Sequence, residues 1–133
     1  MDFLSFMTDS CRIIVVSAVC ADPVKSWRAG SSKSTWLEDD LLRHLPLARV
    51  RFYDHSVAPE DDLGDLADRL SKLLEKPYLD GSRSENALDY PIIFLCHSTG
   101  GLVLKMALNL IREHAQYMSP KFLKSIIGVA FFG

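Results

Sequence analysis

The sequence predicts an α/β fold, a mostly parallel sheet of about four strands with helices on both faces. Three observations predict it. Four short runs carry strand character, at residues 12–16, 49–53, 92–95 and 125–132. Two of these, Ile13 to Val16 and Ile92 to Leu95, are unbroken apolar stretches, as expected of strands covered on both faces. Between the runs, apolar residues recur at helical spacing, and strand–helix alternation makes neighbouring strands parallel.

The bulk properties bound this reading. A chain of 133 residues is one domain by the usual size range, with residues 1–11 as an irregular leader and 12–133 as the domain. An apolar fraction of 48% supplies a real core. A net charge of −2 with scattered Lys and Arg excludes an electrostatic nucleic-acid binder. Cys11, Cys20 and Cys96 are an odd number without metal-ligand spacing, which reads as free thiols in a reducing compartment. No secretory signal and no apolar run of membrane-spanning length is seen, so an intracellular protein is expected, at most peripheral to a membrane.

In chain order, Arg12 to Val16 is the first strand, followed by a small, polar loop that carries Trp27. Thr35-Trp36-Leu37-Glu38 matches a capping box, opening a helix that should stop near Leu45, before Pro46. Arg49 to Tyr53 alternates polar and apolar residues, which suits a strand nearer an edge. Pro59-Glu60-Asp61-Asp62 opens the next helix with acids where the helix dipole favours them, and Pro77 ends it. Residues 80–90 read as a surface loop. After the third strand comes a helix to about Tyr117, a break at Ser119-Pro120, and a last strand from Ser125 to Phe132.

The third strand and its helix carry the chemistry. Pro91 can open the strand, and from Leu102 onward Leu102, Val103, Met106, Ala107, Leu110 and Ile111 fall at helical spacing. Between them stands Cys96-His97-Ser98-Thr99-Gly100-Gly101. Small residues and paired glycines at a strand-to-helix junction are the pattern of a nucleophile elbow. Such a turn lifts a serine hydroxyl above the sheet and places backbone N–H groups where an oxyanion would form. Ser98 is the candidate nucleophile.

Several segments then follow one another as in a known group. Ser26-Trp27, Trp36-Leu37-Glu38-Asp39-Asp40-Leu41-Leu42, Pro46-Leu47-Ala48-Arg49-Val50 and the elbow from Cys96 to Val103 carry the likeness. The chain resembles the serine-active-site-containing serine esterase group of α/β-hydrolases, which is lipase-like. The resemblance implies catalysis by Ser98, an oxyanion donor at the Thr99 N–H and a second in the loop after the first strand, at the Val19 N–H. It also implies an acyl ester or lipid substrate and association with endoplasmic reticulum or mitochondrial membranes.

The sequence departs from that group in two places. Where the group usually has His-Gly after the first strand, this chain reads Ser17-Ala18-Val19-Cys20-Ala21. In α/β-hydrolases an acid and a histidine follow the serine. After Ser98 only Glu113 and His114 qualify, and a helical rise puts them about 22 Å away, against a hydrogen-bond reach of about 3 Å. The expectation is therefore a truncated α/β-hydrolase fold, its front half only, with the triad acid and base absent. The alternative is a non-catalytic hydrolase-like module acting through a protein partner, or self-associating, at the edge of its final strand.

The remaining candidates read more simply. His55 follows the second strand at the carboxyl edge, where sites gather, yet two strand spacings of about 4.8 Å separate it from the elbow strand. His97 reads as a packing residue and His44 as a cation at a helix end. Trp27 and Trp36 read as core. Neither a metal motif nor a phosphate-binding loop occurs, so no metal or cofactor is expected.

Overall fold

A computed structural model describes residues 11–79, 91–114 and 119–133. Four parallel strands form one sheet: β1 (Arg12–Val16), β2 (Arg49–Tyr53), β3 (Ile92–His97) and β4 (Ile126–Phe132). Their order is β2-β1-β3-β4, so the two strands read as covered on both faces, β1 and β3, lie in the middle. Arg12 to Val16 pair with Arg49 to Tyr53 on one side and with Ile92 to Cys96 on the other. β4 pairs with β3 through a bulge, since Ile92 faces Ile126 while Ile93 faces Gly128. The α/β class and the edge position of β2 match the sequence reading.

Side-chain alternation divides the interior into two layers. Val16, Ile92, Phe94 and Cys96 face the long helices α2 (Leu63–Leu79) and α3 (Thr99–His114) and the short α4 (Ser119–Ser125). Leu66, Leu70, Val103, Leu104, Ala107, Ile111 and Phe122 close that layer. Cys11, Ile13, Val15 and Leu95 face the other way, onto Trp27 and Leu37. Leu37 belongs to α1, wound as a π-helix over Leu37–Leu41 and as an α-helix over Leu42–His44.

Helix ends follow from local chemistry, with several corrections to the sequence reading. Thr35 and Glu38 form the expected capping box: the Glu38 N–H donates to Thr35 Oγ1 (3.2 Å) and the Thr35 N–H to Glu38 Oε1 (3.4 Å). α2 starts at Leu63, later than expected, because Asp62 caps it reciprocally with Asp65. Asp61 instead serves the preceding turn, accepting from the Ala58 N–H and pairing with Arg69. Those two contacts, the Ala58 N–H first, hold its carboxyl below the usual carboxylate range.

Pro77 does not end α2, which continues to Leu79. Proline there removes one N–H near the helix end, and the last turn proceeds one hydrogen bond short. Ser119-Pro120 opens α4 rather than a break, since proline suits the first turn of a helix. Ser125 closes α4, and β4 begins one residue later. Cys11, placed in the leader by sequence, is buried, and its carbonyl accepts the Arg49 N–H. The leader over 1–10, the loop over 80–90 and the helix end near Tyr117 lie outside the described residues. No helix among the described residues is long and apolar enough to cross a membrane.

Phe94 is fully buried at the centre of the larger layer. Replacing it with alanine should cost about 3–5 kcal/mol in denaturant unfolding. Leu47→Ala, at a side chain 57% exposed, should stay within about 0.5 kcal/mol.

Candidate nucleophile elbow

The junction between β3 and α3 is a one-residue bend. β3 ends at His97, α3 begins at Thr99, and Ser98 between them takes φ +51. That left-handed conformation is costly for a residue with a Cβ and persists only when neighbours over-determine it. Here two hydrogen bonds do so: the Ser98 N–H donates to the Phe132 carbonyl (2.9 Å), and the Gly101 N–H to the Ser98 carbonyl (3.1 Å). Ser98 itself is exposed. It sits at the carboxyl end of an inner strand, before the first turn of a 16-residue helix whose initial N–H groups lack intrahelical acceptors.

Gly100 is required by contact, and Gly101 lies against a side chain. A Cβ on Gly100 would stand 2.3 Å from the Ser17 carbonyl oxygen and 2.4 Å from that of Val16, and these are backbone atoms of the neighbouring strand end. A Cβ on Gly101 would meet the Phe131 ring at 2.8 Å and the Cys96 Cβ at 3.5 Å. The start of α3 is thus pressed onto β1 on one side and β4 on the other. Cys96 is small enough to lie under this turn, and burial pushes its thiol up to about 12.

The loop after β1 supports the elbow from beside it. Ser17 is buried, its hydroxyl donating to the Pro23 carbonyl (2.9 Å) and accepting from Trp27 Nε1–H (2.7 Å). Its carbonyl accepts from the His55 ring at 2.8 Å. Two residues on, the Val19 N–H donates to the Thr99 hydroxyl at 2.8 Å. The structure therefore brings Val19 to the elbow, as expected of an oxyanion donor, but its N–H is already engaged by a side chain of the elbow.

No family model matches this chain. Neither a curated protein nor a solved structure matches it.

Of the residues singled out by sequence, Ser98, Thr99, Gly100, Gly101, Cys96 and Val19 come together. His97 does not join Ser98 as a partner; its ring packs edge-on against Trp27 at 6.2 Å. Trp27 also meets Trp36 (6.0 Å) and Phe132 (5.7 Å), so the tryptophans serve the second layer. His55 is buried and engaged with the Ser17 carbonyl, which accounts for it without a surface loop role. Glu113 and His114 lie at the far end of α3, and His44 at the exposed end of α1. Among the described residues no three His, Cys, Asp or Glu groups gather as a metal site. Sequence reasoning missed Ser17 and the Thr99 hydroxyl, whose partners lie up to 80 positions away.

Two outcomes follow from this packing. Gly100→Ala should lose about 1–3 kcal/mol in thermal or denaturant unfolding, because fixed carbonyls cannot yield. Gly128→Ala, with nothing within 4 Å, should stay within about 0.5 kcal/mol. The raised Cys96 thiol stabilises the fold fully below its ordinary value of 9.0. That contribution should be lost as pH rises from 9.0 towards about 12, where the unfolded thiol ionises and the buried one does not. A pH series of unfolding curves comparing wild type with Cys96→Ala checks this, and the difference should open only above pH 9.0.

Proposed function

We propose that this chain is a serine hydrolase resembling the lipases and esterases of the α/β-hydrolase group, with Ser98 as nucleophile. The observation that carries the reading is an exposed serine at φ +51 between an inner parallel strand and a 16-residue helix. A strained, exposed hydroxyl at the carboxyl edge of a parallel sheet is where such folds hold a nucleophile. Ser98 Oγ would attack the carbonyl carbon of an ester or thioester, its proton passing to a base supplied from elsewhere than the described residues. The bond to the leaving alcohol or thiol breaks, leaving an acyl-enzyme that water then hydrolyses.

The Thr99 N–H at the helix start would stabilise the oxyanion; the Val19 N–H, which donates to the Thr99 hydroxyl, would join it only by giving up that bond. The reading requires a base that His44, His55 and His97 do not supply beside Ser98. Lipid esters are the substrate class that the resemblance favours, with peripheral attachment to endoplasmic reticulum or mitochondrial membranes. An intracellular setting accords with three unbridged cysteines.

A second reading rests on a different observation. β4 is an edge strand of the described sheet, and Ile127, Phe131 and Phe132 along it are 37%, 54% and 40% exposed. An open apolar edge of this kind favours a non-catalytic module that pairs with another protein chain.

Incubation with a fluorophosphonate probe separates the two. The hydrolase reading expects covalent labelling of wild type that disappears in Ser98→Ala. Equal, background labelling of both, with the chain eluting as an oligomer in size-exclusion chromatography, would favour the interaction module.

A further inference from the structure

His55 is 5% exposed, and one of its two ring nitrogens has no partner among the described residues. Nε2 lies 2.8 Å from the Ser17 carbonyl oxygen, which can only accept, so Nε2 carries a proton and donates it, while Nδ1 is left buried and unpaired among the described residues. An apolar ring of similar size would avoid that orphan. What the imidazole adds at this position is therefore the single bond it makes.

That bond ends on the oxygen that governs the elbow. The Ser17 carbonyl is the atom a Gly100 Cβ would approach to 2.3 Å, so it forms the seat on which the first turn of α3 rests. The rest of Ser17 is tied to Pro23 and Trp27, and two residues later the Val19 N–H reaches Thr99. His55 arrives at this seat from β2, on the far side of β1 from the elbow strand. Tyr53 packs edge-on against its ring at 5.2 Å and fixes its plane.

We propose that His55 is a positioning residue for Ser98: its Nε2–H anchors the Ser17 carbonyl under Gly100 and so holds the Val19 loop in register with the elbow. The catalytic consequence rests on the serine hydrolase reading; the positioning itself does not. Without the donor, the Ser17 carbonyl loses the hydrogen bond that His55 gives it, and the loop that carries Val19 N–H shifts away from the elbow.

Three variants of the 133-residue chain test it. His55→Gln keeps an N–H at the place of Nε2–H, His55→Asn is too short to reach, and His55→Phe fills the space without a donor. Amide exchange of Val19, followed by NMR, should be about tenfold faster in His55→Phe and His55→Asn and close to wild type in His55→Gln. Fluorophosphonate labelling of Ser98 should fall about ten- to hundredfold in the same two variants and recover in His55→Gln.

Unchanged Val19 exchange in His55→Phe overturns the proposal, as does a His55→Gln variant no better than His55→Phe. If wild type takes no label, the hydrolase reading fails while the exchange comparison still decides the positioning role. Should His55→Phe not fold, His55→Asn against His55→Gln carries the decision. Loss of folding in all three overturns the proposal, because His55→Gln retains the donor.

Discussion

The close approach of Gly100 to the carbonyls of Val16 and Ser17 governs this molecule. At those distances no side chain fits, so the start of α3 and the end of β1 can meet in one way only. Gly101 lies against the Phe131 ring, a softer contact that brings the same turn close to β4. The backbone turns from strand to helix within one residue here. Ser98 makes that turn in a left-handed conformation. Close packing, strained backbone and an exposed serine thus coincide at one turn.

A buried polar cluster braces the same corner from the second layer. Trp27 Nε1–H holds the Ser17 hydroxyl, while its ring contacts Trp36, His97 and Phe132. One side chain thus links the loop after β1 to α1 and to the carboxyl ends of β3 and β4. Asp61 and Arg69 brace the turn after β2 in a comparable way, with Arg69 Nη1–H also donating to the Ser56 carbonyl at 3.1 Å. Ser56, at φ +52, is the other non-glycine described residue in a left-handed conformation, and it too sits just beyond a strand's carboxyl end.

Much of this was legible in the sequence because it is written locally. The apolar runs located β1 and β3, the alternation of Arg49 to Tyr53 located an edge strand, and Thr35 with Glu38 announced a cap. The paired glycines between apolar strand and amphipathic helix located the tight bend between β3 and α3. Local signals failed where two explanations compete at one residue. The acids before Leu63 looked like a first turn, but Asp61 and Asp62 are spent on backbone N–H groups outside the helix or at its cap. Pro120 looked like a breaker and is a starter. The contacts between Val19 and Thr99 and between Ser17 and His55 join residues 80 and 38 positions apart, and no periodicity encodes such pairs.

The central place of β1 has a kinetic corollary. Its partner β3 and the elbow lie some 80 positions further along the chain, so the Val19–Thr99 bond closes a very large ring. Ring closure of that size is entropically disfavoured until the sheet contacts that reward it form together. Helices α2 and α3 can gain structure early from nearby residues, while the bend at Ser98 waits for the first and third strands to dock. The bend at Ser98 is therefore a late product of folding, set only once β1 and β3 have docked.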